Sequence, residues 1–262
     1  MAIIAASEPA KPDSPTKTAA SLSSISIAWI APDDGGSDII SYTLKMNEGT
    51  GSLVYNVIDS SIPAGTTTYT KSGLTTGDEY RFIVFAINAV DSSADSDPST
   101  AIIVAVTPDA PSDPSYLSSS ETTMQFGWSS PVDAGRSNGG TTLLGYKIQW
   151  DDGDSEAVSL TDLVTINDAA ATSFTIDSAS YSISTGTIYR VRVLAFNSVG
   201  TGSPSSVLEI MPASLPSAPN RPTIKVASSS QITIEWTQDA NSDGGSPILD
   251  YIVYFDNGVG AN

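Results

Sequence analysis

Cysteine and histidine are both absent from this 262-residue chain. Without cysteine there is no disulfide, no thiolate nucleophile and no thiolate zinc site. Without histidine, Ser-His-Asp catalysis is excluded and the commonest transition-metal ligand is missing. Positive charge is scarce, with 11 Lys and Arg against 29 Asp and Glu and a formal net charge of -18. Nucleic acid and anionic membranes both attract clustered cations, so neither fits as a partner. No apolar run is long enough to span a bilayer. No Asn begins an Asn-x-Ser/Thr sequon, which argues against an N-glycosylated protein. The opening Met1-Ala-Ile-Ile-Ala-Ala lacks the positive start of a signal peptide. The surplus of acid reads first as solubility and self-repulsion.

What is present is turn chemistry and alternation. The 20 Gly and 16 Pro are spread along the chain, as in a protein of many short strands, and the length suits two or three domains. Three tryptophans each end an alternating apolar run: Ile25, Ile27, Trp29; then Met124, Phe126, Trp128; then Ile232, Ile234, Trp236. Period-2 alternation predicts a strand with one buried face. The tryptophans are 99 and 108 residues apart, one sandwich domain per repeat.

A turn-rich loop follows each Trp: Pro32-Asp-Asp-Gly-Gly-Ser-Asp38, Pro131-Val-Asp-Ala-Gly-Arg-Ser-Asn-Gly-Gly140 and Asn241-Ser-Asp-Gly-Gly-Ser-Pro247. A second alternating strand comes next, carrying Tyr42, Leu44 and Met46, then Tyr146, Ile148 and Trp150, then Tyr251, Val253 and Phe255. Asp152-Gly153 and Asn257-Gly258 suit type I′ turns, in which both central residues have positive φ. Two copies continue from Leu74 to Tyr80 and from Ile183 to Tyr189, the pattern of a tyrosine corner. Their following strands carry Phe82, Val84, Ala86 and Asn88, and Val191, Val193, Ala195 and Asn197. Last strands are expected at 101–106 and 207–211. Prolines recur every third residue at Pro9, Pro12, Pro15, at Pro108, Pro111, Pro114 and at Pro216, Pro219, Pro222. This favours polyproline II, and reads as a semi-rigid spacer between modules.

Together these landmarks resemble the fibronectin type III family, in the Asp-Gly-Gly-Ser form of long titin-like and protist arrays. The resemblance implies an all-β fold of tandem seven-stranded, immunoglobulin-like sandwiches without catalytic machinery, so no enzyme is expected. The expected division is a strand-G remnant at 1–8, complete modules at 9–108 and 109–215, and an incomplete module of strands A to C at 216–262. Ile3 and Ile4 stand before Pro9 as Ile102 and Ile103 stand before Pro108, so the chain reads as an internal segment of a longer array. The third copy lacks a Pro three residues after Trp236, a departure from the pattern. The expected core is Trp29, Tyr42, Leu74, Tyr80, Trp128, Tyr146, Ile183, Tyr189, Trp236 and Tyr251. Trp150 shares parity with Tyr146 and belongs with that core rather than on a sugar-stacking platform.

No catalytic residue and no cofactor is expected. Asp33, Asp34, Asp38 and Asp243, with Asn241, offer oxygen ligands for calcium, but polar turns whose Asp side chains cap local backbone are the simpler reading. Asp151, Asp152 and Asp154 form a further acidic turn. The strand F–G loops, read as 88–95 and 197–204, contain no Arg-Gly-Asp, and Arg136 lies in a different loop. The function implied is a structural or adhesive repeat that spaces or presents binding surfaces, outside the cell or at its surface. Its partners would be other proteins, including copies of itself in a fibre, with no small-molecule substrate. An intracellular cytoskeletal or ciliary scaffold is the alternative, and an accessory module of a secreted enzyme the third reading.

Overall fold

A computed structural model describes residues 6–131, 137–154, 159–238 and 243–256. Among these residues there is no helix, and the fold is all β in tandem sandwiches. Residues 1–5, Arg136, Asn241 and the Asn257-Gly258 turn lie outside the described residues. Packing divides the chain into two compact units. One contains residues 1–110, 131–145 and 195–203, and the other contains 111–130, 146–194 and 204–262.

In the first copy, β1 (Thr16–Ala20), β2 (Ser24–Ala28) and β5 (Thr68–Ser72) form one sheet in the order β1-β2-β5. Against it stand β3 (Ser41–Asn47), β4 (Tyr55–Pro63) and β7 (Phe82–Ile87), in the order β4-β3-β7. A short ladder pairs β6 (Glu79–Tyr80) with β8 (Ile102–Ile103). Alternation in β2 puts Ile25 and Ile27 inward, followed by Trp29. They close a core with Tyr42, Leu44, Phe82, Val84 and Ala86 from the facing sheet. Full burial of each such side chain contributes about 1.5–3 kcal/mol.

The second copy repeats the plan. β9 (Ser115–Ser120), β10 (Thr123–Gly127) and β13 (Ser173–Asp177) make one sheet, ordered β13-β10-β9. The other contains β11 (Leu143–Trp150), β12 (Thr161–Ile166), β14 (Tyr189–Asn197), β15 (Thr201–Pro204) and β16 (Leu208–Ile210). Trp128 meets Tyr146 edge-on at 5.3 Å, as Trp29 meets Tyr42 at 5.4 Å. Trp150 is buried and stacks on Tyr189, 5.6 Å between centroids. At the β11 turn Asp152 has φ +58 and Gly153 φ +75, the pair of positive angles a type I′ turn needs.

Among the described residues, the third copy contributes the hairpin of β17 (Thr223–Ala227) and β18 (Ile232–Glu235) and no other strand. Here three expectations change. The segment bearing Tyr251, Val253 and Phe255 is not a strand. Tyr251 is 43% exposed and Phe255 91% exposed, and Trp236 is only half-buried. The reason is geometric: without a facing sheet these side chains have nothing to be buried under. Trp236 and Tyr251 nonetheless keep the edge-on contact of the other copies, at 5.5 Å. Ile183 also departs from the core expectation, being half-buried where its counterpart Leu74 is buried.

Candidate functional site: the Gly-Gly loop pole

The proline runs do not form free spacers in the first two copies. Pro9, Pro12, Pro15, Pro108, Pro111 and Pro114 are all buried, while Pro216, Pro219 and Pro222 are exposed. Three residues per turn puts every third side chain on one face, and that face lies inward where a sandwich is complete. In the third copy Pro219 and Pro222 line an open cleft with Ile234, Trp236 and Tyr251.

Each run is held to a Gly-Gly loop. The N–H groups of Ser7, Val106 and Ser214, two residues before the first proline of each run, donate to the carbonyls of Gly35, Gly139 and Gly244 at 2.9, 2.9 and 2.8 Å. One residue after that proline, Ala10 donates to Asp33 O and Asp109 to Ser137 O, both at 2.8 Å. Each first glycine has positive φ, from +67 to +79. A side chain there would also strike the arriving backbone: a Cβ at Gly35 would lie 2.6 Å from both Ser7 O and Glu8 O. Glycine is needed for both reasons.

The calcium candidates face local backbone. Asp33 accepts from Gly35 N–H at 2.9 Å, Asp34 from Gly36 at 2.8 Å and Asp243 from Gly245 at 3.0 Å, and Asn138 does the same for Gly140. These are Asx turns: Asp34, Asn138 and Asp243 secure the second glycine of their loops, and Asp33 secures the first. Asp38 is exposed in the same loop. Among the described residues no group of three or more acidic, His or Cys side chains could hold a metal ion.

Asn88 and Asn197 complete the pole, and sequence reading alone assigns them no such part. Asn197 is buried; its Nδ2 donates to Val106 O at 2.8 Å and Asn138 O at 2.9 Å. Its Oδ1 accepts from Val199 N–H at 2.8 Å and Gly200 N–H at 3.2 Å. Asn88 does the same with Ser7 O, Asp34 O, Val90 N–H and Asp91 N–H. One amide thus ties the incoming chain, the Gly-Gly loop and the turn after β7 or β14. The only signal in the sequence was an Asn at the same place in both copies.

Each of the first two copies also carries a tyrosine corner. The Tyr80 hydroxyl accepts from Thr75 N–H at 3.3 Å and Tyr189 from Ser184 N–H at 2.8 Å. Both tyrosines are buried. Beyond the corner, Asp151 is a buried carboxylate rather than part of an open acidic turn. Burial opposes its ionisation, but Arg190 at 2.7 Å and the N–H groups of Arg190 and Gly153 prevail, holding its carboxyl below the usual range.

The first copy also closes its sheet edge in an unexpected way. Residues 93–99, which begin inside the expected F–G loop of 88–95 and run past its end, lie along β7 with Ser93, Ser96 and Ser99 buried. Their Oγ atoms accept from the N–H groups of Ala86, Val84 and Phe82 at 3.0, 3.1 and 3.0 Å. Each Oγ then donates to the carbonyl of the next residue. A three-residue period cannot present a carbonyl at every strand spacing, so serine hydroxyls stand in. In the second copy Ser205 does the same for Val193, and residues 201–204 of the other expected loop form β15.

The profile of the "Fibronectin type III domain" matches residues 10–102 and again 109–211. Receptor-type tyrosine-protein phosphatase F of Danio rerio is 28% identical over 206 residues, which is 77% of this chain and 10% of that protein. Protein sidekick-1 of Homo sapiens is 30% identical over 187 residues, 70% of this chain and 8% of that one. Myomesin-2 of Homo sapiens is 31% identical over 152 residues, 56% of this chain and 10% of that one. The chain spans a tenth or less of the length of each of these relatives. With two profile matches taking in most of its length, the chain belongs to the fibronectin type III family.

Proposed function

We propose that this chain is a structural and adhesive repeat, an extended, semi-rigid array that sets spacing and presents its loops to protein partners. Two fibronectin type III domains support a general adhesive or structural repeat role rather than a catalytic one. The observation that supports the array reading is the tethering of the proline runs. The bond from chain to Gly-Gly loop recurs at Ser7, Val106 and Ser214, so the backbone entering each copy is secured rather than loose. The partners are other proteins, including further copies in a fibre. We place the array outside the cell or at its surface, in keeping with its similarity to a receptor-type phosphatase. Small-angle scattering from the full chain tests the reading: an elongated particle, little changed between low and high salt, is expected. A compact particle would overturn it. Protection of the chain from protease added to intact cells would move it to the intracellular scaffold reading.

A further inference from the structure

We infer that the Gly-Gly loop is a docking surface for the tyrosine corner of a neighbouring fibronectin type III module, with a threonine methyl as the selecting group. The second glycine of each loop carries the inference. A Cβ built at Gly140 would fall on Thr76 Cγ2, and one at Gly245 would fall on Thr185 Cγ2. Thr76 and Thr185 hold the same place in the two corners, each directly before the corner glycine, Gly77 or Gly186. Thr76 and Gly140 lie inside one compact unit, and Thr185 and Gly245 inside the other. The contact is reciprocal, because a Cβ at Gly77 would lie 3.2 Å from Gly140 O and one at Gly186 2.7 Å from Gly245 O. Two separate places in the chain therefore bring equivalent residues together.

A hydrogen bond orients each methyl. Thr76 Oγ1 donates to Leu22 O, and Thr185 Oγ1 donates to Glu121 O at 2.7 Å. Each hydroxyl is thus tied to the turn between the first two strands of its own copy, which points Cγ2 at the following loop. Gly140 and Gly245 are half-buried, whereas Gly36, at the same place in the first loop, is exposed. All three have φ between +81 and +88, so the conformational demand for glycine is shared.

That difference supplies the experiment, made on the full chain. Gly36→Ala and Gly140→Ala carry similar backbone strain, and Gly140→Ala also brings a Cβ onto the Thr76 methyl. Thr76→Ser keeps the hydroxyl bond and removes the methyl. Nitrogen-15 relaxation gives a tumbling time for each of the two complete modules. We expect one shared time in the parent chain and in Gly36→Ala, two shorter times in Gly140→Ala, and a shared time restored in Thr76→Ser/Gly140→Ala. Equal behaviour of Gly36→Ala and Gly140→Ala, or no restoration by Thr76→Ser, would overturn the inference. Should Gly140→Ala unfold the second module, Thr76→Arg leaves the loop intact. It must then split the tumbling times, and a shared time would refute the joint. The inference deepens the array reading but fails separately. A compact particle by scattering with the relaxation results intact removes the spacer and keeps the joint.

Discussion

Asn197→Ala and Asn197→Asp separate the two halves of the amide clamp. The parent side chain makes four hydrogen bonds, two given by Nδ2 and two received by Oδ1. Alanine strands two carbonyls and two N–H groups at a buried site. A net hydrogen bond contributes about 1 kcal/mol and a stranded buried group costs about 1–3 kcal/mol. Since water reaches part of this pole, a loss of about 2–4 kcal/mol is expected for Asn197→Ala. Aspartate has nearly the same shape and keeps both bonds received from Val199 and Gly200. Its second oxygen, however, faces Val106 O and Asn138 O, so the ionised form is repelled where the amide donated. At neutral pH Asn197→Asp should therefore cost at least as much as Asn197→Ala. The new carboxyl would have its folded pKa raised above the unfolded value of about 3.9. Its favourable form is protonated, so stability is recovered below the unfolded pKa and lost as pH rises through the folded one. Urea titrations read at the amide resonances of β10 and β14, at neutral and mildly acidic pH, measure both effects. An aspartate variant more stable than the alanine variant at neutral pH, or an alanine loss below about 1 kcal/mol, would show that the Nδ2 bonds do not hold the pole.

Two further outcomes follow from burial and charge. Trp128→Ala should cost on the order of 3–5 kcal/mol as a core deletion, while Trp236→Ala, half-buried beside an open cleft, should cost far less in the same denaturant assay. Equal losses would mean that the third copy packs as a complete module. Asp151 has a depressed folded pKa, so its contribution is present above the unfolded value and disappears as pH falls through the folded value. Asp151→Asn should lower stability at neutral pH by about 1–3 kcal/mol and flatten the acid limb of the second module's stability curve. An unchanged acid limb would place the pH dependence elsewhere.

The sequence by itself determined the elements whose cause is local. Period-2 alternation is a property of a few consecutive residues, so Ile25, Ile27 and Trp29 announce a buried strand face before any partner is known. Asp152-Gly153 announces its turn because positive φ is a demand of the backbone itself. Recurrence of Trp, Gly-Gly and Tyr at the spacing of one sandwich domain announced the family. What only the tertiary structure decided is which groups meet across distance. Asn197 reaches carbonyls 91 and 59 residues away in the chain, and no spacing rule connects them. A proline every third residue announces polyproline II, but whether its face is a wet spacer or a buried edge depends on the sandwich beside it. Pro111 is buried and Pro219 exposed for that reason. Ser93 lies in the expected loop and Ser96 and Ser99 just past it, and none shows a role until β7 lies alongside and its N–H groups need acceptors. Tyr251 has the same local pattern as Tyr42 and Tyr146, yet it stays exposed, because burial requires a second sheet and an alternating pattern supplies only one side of a core.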